Sequence, residues 1–125
     1  MNIIRRKEPE IVDTRGAINK ILDGIDIKSV LLITSKAGTI RANHYHKKDT
    51  HYSYILSGSV EWSEKRVEGG EVEMQILYAG DMVYTPPMMI HGVRFLDDTT
   101  FLVFATESRD QKDYEEDTVR VELIK

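Results

Sequence analysis

Three of the four histidines in this 125-residue chain, His44, His46 and His51, fall in the segment "HYHKKDTH". Imidazole is the commonest protein metal ligand and the side chain that gains or loses a proton closest to neutral pH. Imidazoles gathered in one place therefore point either to a shared divalent ion or to proton transfer. In a strand, residues i and i+2 project from the same face. His44 and His46 should project together, with Tyr45 on the opposite side. A strand beginning near His51 can return antiparallel and bring a third ring beside them. His91, the remaining histidine, lies far off in sequence after "YTPPMMI". Taken alone, an H-x-H pair is as readily two surface imidazoles as half of a metal site.

The elements that must position these rings read as strands. "KSVLLITS" (28–35) is a compact β-branched run ended by a turn at Lys36-Ala37-Gly38. "HYSYILSGSVEWSE" (51–64) reads as two strands joined at Ser57-Gly58-Ser59, and "EVEMQILY" (71–78) alternates polar and apolar at period two after the turn "EGGE". Further turns at "AGD", "TPP" and "LDD" separate "MVY", "HGVRF" and "TTFLVFA". Many short strands with regular punctuation describe an all-β sandwich or barrel. The stretch "ESRDQKDYEED" (107–117) lacks a strand pattern and reads as a charged loop or a single helical turn before a last strand, "TVRVEL".

Composition narrows the classes. The length suits one domain spanning residues 1–125 with its own core. With no cysteine there are no disulfides, no thiolate nucleophile and no Cys-type zinc site. A net charge of −4 argues against wholesale binding to nucleic acid or to an anionic membrane. The N-terminus "MNIIRRKEPEIVD" runs into charge at once, without the apolar region of a signal peptide, so a cytoplasmic protein is expected.

The spacing around the histidines resembles the two motifs of the cupin superfamily. Gly38, His44-x-His46, His51 and Gly58 follow the first motif (residues 38–58), and Gly80, Pro86 and His91 follow the second (residues 80–95). The resemblance implies a jelly-roll barrel with one divalent ion inside it, held here by His44, His46, His51 and His91. Three positions depart from the pattern: His51 replaces a glutamate, Met88 a glycine and Phe95 an asparagine. The glycine replacement implies a differently shaped turn. Asp49 is expected to stay outside the ligand set. An all-imidazole set suits Fe, Ni, Cu or Zn over Mg or Ca.

By alternation, Ser53 and Ile55 should share the face of His51, and Val93 and Phe95 the face of His91. Trp62, Tyr52, Tyr54 and Tyr84 are then assigned to the other layer, where packing is their commonest role. "DTRG" (13–16), "RANHYH" (41–46) and "TPPMMIHGVRFLDDTTFLVFA" also resemble cupins of nucleotide-sugar and polysaccharide pathways, relatives of dTDP-4-dehydrorhamnose 3,5-epimerase. That likeness implies a diphosphate contact at Arg15 and a proton-abstracting base at His44, a role a metal-bound ring nitrogen cannot also fill. Arg15, Arg41, Ser53, Tyr84 and Phe95 are the candidate substrate contacts. A homodimer is expected. Three functions follow from these resemblances: an enzyme acting on a small sugar-derived substrate, an Fe-dependent dioxygenase, or a non-catalytic saccharide-binding module.

Overall fold

The structure is a computed structural model describing residues 1–125. Ten of its strands form two five-stranded sheets in which every pairing is antiparallel. Numbered in chain order, the first sheet runs β1 (Asn2–Ile4), β9 (Met82–Thr85), β6 (His51–Ser57), β11 (Thr99–Ala105), β4 (Ser29–Ser35). The second runs β12 (Thr118–Arg120), β5 (Ile40–His46), β10 (Met89–Phe95), β7 (Ser59–Arg66), β8 (Glu73–Tyr78). From β4 onward the chain changes sheet at every connection except β7–β8, which is the jelly-roll path. A separate hairpin pairs β2 (Ile11–Asp13) with β3 (Gly16–Ile18).

Alternation fixes what faces the interior. On β11, Thr99, Phe101, Val103 and Ala105 are buried while the residues between them are half-exposed. Ile55, Val83, Phe101 and Val103 from the first sheet meet Val60, Trp62, Leu77, Val93 and Phe95 from the second in one apolar cluster. Phe95 packs on Phe101 with ring centroids 5.7 Å apart. Gly58 permits the sharp β6–β7 turn: it sits at φ +93°, and a Cβ there would lie 2.4 Å from Thr99 Oγ1.

Three features differ from the sequence reading. Asn2–Ile4 is a strand, because the first sheet offers it the free edge of β9. The charged stretch forms a seven-residue helix, α1 (Gln111–Asp117), N-capped by Asp110, whose carboxylate accepts from the Lys112 N–H. It buries no residue, so no apolar periodicity announced it. Met88 adopts the left-handed φ of +63° that glycine takes freely, so the turn keeps a glycine-like conformation instead of changing shape.

Candidate active site

One end of the interior is lined with imidazole. β10 pairs with β5 so that His91 lies opposite His44, and His46 follows on the same face. Ring centroids stand 4.7 Å apart for His44–His46 and His44–His91, 4.5 Å for His46–His51 and 5.8 Å for His46–His91. His46 and His91 are buried, while His44 and His51 are half-buried.

The approach to His44 is shaped by a bulge. Ala42 and Asn43 both take left-handed φ, +66° and +54°, and the register with β10 shifts between His91 and Gly92. Asparagine tolerates this conformation better than most residues. The Asn43 side chain is also anchored. Its Oδ1 accepts from the N–H groups of Leu123 and Ile124, and its Nδ2 donates to the Ile124 carbonyl at 2.9 Å. Gly92 leaves the room, since a Cβ there would lie 2.6 Å from Asn43 Oδ1.

Hydrogen bonds distinguish the two ring nitrogens in three of the four histidines. His91 Nδ1 donates to the Met89 carbonyl at 3.0 Å, which leaves Nε2 as the lone pair. The Thr118 hydroxyl donates to the Tyr114 carbonyl at 2.6 Å, so the oxygen it presents to His46 Nδ1 at 3.3 Å must accept. His46 Nε2 is thereby left buried with no partner. His51 is arranged the other way round. Its Nε2 contacts Asp49 Oδ2 at 2.8 Å. The other oxygen of that carboxylate accepts from the Thr106 and Glu107 N–H groups at 3.1 and 3.0 Å, and from the Thr106 hydroxyl.

Burial, then the neighbouring imidazoles, push His44 down to about 2 and His46 to about 3. Burial carries His91 down to about 4. All three rings are therefore neutral at pH 7. Burial works against ionisation of Asp49, but its bonds to His51 and Glu107 hold the carboxyl below its usual range. Trp62 stacks on His91, with planes 2° apart and centroids at 5.8 Å, and donates its Nε1–H to Glu64 Oε2 at 3.0 Å. Burial raises the Glu64 carboxyl, and its Oε1 has no partner.

The sequence-derived positions separate under this geometry. His44, His46 and His91 form one group whose nitrogens lie within 4.8 Å of one another, while His51 belongs to a second group with His46 and Asp49. His46 is common to both groups, and Asp49, expected outside the ligand set, stands beside His51. Asp49 lies two residues before His51 in the irregular segment between β5 and β6. Ser53 lies inside on the His51 face, and Phe95 lies in the apolar cluster four residues beyond His91. Tyr84 is on the outer face of the first sheet, 5.2 Å from Tyr52. Arg41 is turned to Ser35 Oγ and the Thr34 carbonyl, and Arg15 is 87% exposed on the β2–β3 turn, bonded to Asp13. Neither arginine is bonded to the imidazole cluster. Trp62 is inside, against its assignment to the other layer, because β7 presents residues 60, 62 and 64 inward. Thr118, Tyr114 and Glu64 carried no readable signal.

Residues 31–106 match the cupin domain family. The chain belongs to the cupin family. No curated protein sequence matches it. Among solved structures, this cupin is similar to the 3,4-ketoisomerase QdtA of Thermoanaerobacterium thermosaccharolyticum, a double variant in complex with TDP. Their identity is 30% and the TM-score 0.75, over 94% of this chain and 85% of that one. It shares its fold with a 3,4-ketoisomerase of Helicobacter canadensis (20% identity, TM-score 0.78, 95% and 89% covered). The same holds for dTDP-4-dehydrorhamnose 3,5-epimerase of Sulfolobus tokodaii (18%, 0.69, 82% and 69%). No helix of the cupin is long and apolar enough to cross a membrane.

Proposed function

We propose that this cupin transfers a proton at a carbon next to the ketone of a nucleotide-linked sugar, as a keto-isomerase or epimerase. The observation that carries the reading is the cluster of neutral imidazoles with one carboxylate-bound member, at one end of the fold. The 30% identity to a sugar 3,4-ketoisomerase gives it a substrate class. A ketone at C4 beside a hydroxyl at C3 is isomerised in two balanced moves. A base takes the C3 proton while the electrons pass to the C4 oxygen, which takes a proton from a neighbouring donor, giving an enediol. A proton from the base, exchangeable with solvent, then reaches C4 as O3 gives up its proton to the donor left deprotonated in the first move and becomes the carbonyl oxygen. Neutral rings suit this chemistry because they can both accept a proton and donate an N–H to a developing oxyanion.

The test is turnover of TDP-4-keto-6-deoxyglucose, followed by 13C NMR of the carbonyl. Movement of the ketone or inversion beside it supports the reading, and an unchanged sugar with saturating protein contradicts it.

The donor set also fits an ion. His46 and His91 have their Nδ1 atoms occupied, their Nε2 lone pairs free and their rings neutral, and His44 lies within reach of both. These three residues would hold one divalent Fe, Ni, Zn or Cu ion, which when bound would polarise a carbonyl oxygen. Elemental analysis of protein purified without chelator tests this separately. About one equivalent of a transition metal, lost in His46→Ala, is expected.

A further inference from the structure

The keto-sugar reading leaves open which imidazole removes the carbon-bound proton, and the likeness to epimerases implies His44. The structure favours another ring. We propose that His51 Nδ1 is the proton-abstracting base, with Asp49 as its positioning residue and His44 as a neutral hydrogen-bond donor to the ketone oxygen. The assignment rests on the reading above for its substrate and on the contacts of the four rings for its residues.

A base in a closed cluster must hold a whole proton for the lifetime of the enediol, so the charge it acquires needs a counter-charge. Only His51 has a carboxylate within hydrogen-bond distance, Asp49 Oδ2 at 2.8 Å from Nε2. The nearest carboxylate to His46 is Asp117, at 3.7 Å from a nitrogen that already faces Thr118. His91 donates to a backbone carbonyl and stacks on Trp62. His44 faces two other imidazoles, and Arg120, opposite it in the β12–β5 register, has its guanidinium on the Glu115 carboxylate at 3.0 and 3.1 Å. A proton on His44 would have no carboxylate within hydrogen-bond distance.

The Asp49 carboxylate is built to hold its orientation. Three donors from Thr106 and Glu107 occupy Oδ1, so Oδ2 is committed to His51. Asp49 and His51 are 7% and 11% exposed in their side chains, which keeps the pair out of bulk dielectric. With Nε2–H given to Asp49, Nδ1 carries the lone pair. His51 also lies outside the His44–His46–His91 group.

The test compares wild type, His51→Gln, Asp49→Asn and His44→Gln on TDP-4-keto-6-deoxyglucose in deuterated water, reading deuterium entry at the carbon beside the ketone. Each variant's fold is checked by circular dichroism. General-base removal typically costs about 10²- to 10⁴-fold. His51→Gln should lose at least about 100-fold of exchange on that basis. Asp49→Asn should lower kcat about tenfold or more while leaving KM within about twofold, a split that loss of packing alone would not give. His44→Gln should slow exchange less than His51→Gln. Exchange at wild-type rate in His51→Gln, or an Asp49→Asn effect confined to KM, overturns the assignment. A second measurement needs neither substrate nor variant: long-range 1H–15N correlation on the wild-type protein. The Nε2–H form of His51 supports the assignment and the Nδ1–H form overturns it. A wild-type protein inert on the sugar removes the keto-sugar reading. The tautomer then still decides whether His51 is the free base of the cluster.

Discussion

Strand β10 carries His91 and Phe95 on the same inward face, four residues apart and almost equally buried, at 3% and 1% exposure. Around Phe95 the interior is aromatic and branched apolar, and burial itself supplies the stabilisation. Around His91 the same depth is filled by rings that would ionise near pH 6.5 in water. That end is ordered by directional bonds: Met89 to His91, Thr118 to His46, Asp49 to His51. One end is maintained by the removal of water, the other by contacts that a few side chains must supply. Several of the latter come from outside the matched cupin residues 31–106, in α1, β12 and the tail that Asn43 holds. The apolar end is held by burial, and the C-terminal segment helps to orient the imidazole end.

Acid should break the comparison most. The folded pKa values of His44, His46 and His91 lie below the ordinary value of 6.5, at about 2, 3 and 4. Below pH 6.5 the unfolded chain therefore binds protons that the folded one refuses, and stability falls as pH falls from there toward 4. At 1.36 kcal/mol per unit, each ring costs on the order of 2 kcal/mol at pH 5, or about 6 for three. Glu64, raised by burial, works in the opposite sense and offsets part of this. Urea unfolding at pH 7.5 and pH 5 should show a loss of several kcal/mol, and equal midpoints would mean that the rings are not buried neutral.

The apolar end is tested next by Phe95→Ala, which empties a fully buried aromatic site and should cost about 3–5 kcal/mol. The histidine tautomers seen by NMR should not move, because none of the bonds that set them involves Phe95. A smaller effect is expected at the other end. Asn43→Ala removes three bonds to the tail and leaves a left-handed φ to alanine, for about 2 kcal/mol. Hydrogen exchange should accelerate at residues 118–124 while β11 stays protected. Uniform acceleration would mean that the two ends are one cooperative unit.

Much of this architecture is legible without coordinates because strands announce themselves by alternation. Ile33, Ile55, Val93 and Phe101 mark inward positions in runs bounded by Gly or Asp turns, and β4, β6, β7, β8 and β11 start or end close to where those turns fall. His44-x-His46 is readable as one face for the same reason. What stayed hidden depends on contacts rather than period. Asp49 sits in the irregular segment between β5 and β6, and Thr118 matters only because its hydroxyl spans from Tyr114 to His46. The α1 helix has no apolar face to betray it. Arg15 was singled out by the resemblance of its segment and Arg41 for its charge, and Asp13 and Ser35 are the groups that engage them.

The central claim is that this imidazole end moves a carbon-bound proton beside a ketone. Incubating the wild-type protein with TDP-4-keto-6-deoxyglucose in deuterated water and reading the sugar by mass spectrometry and proton NMR tests it most directly. The account predicts one deuterium gained at a carbon adjacent to the carbonyl, at a rate that rises with enzyme concentration. A sugar recovered with its ketone in place and all its carbon-bound protons, after prolonged incubation with excess protein, would contradict it.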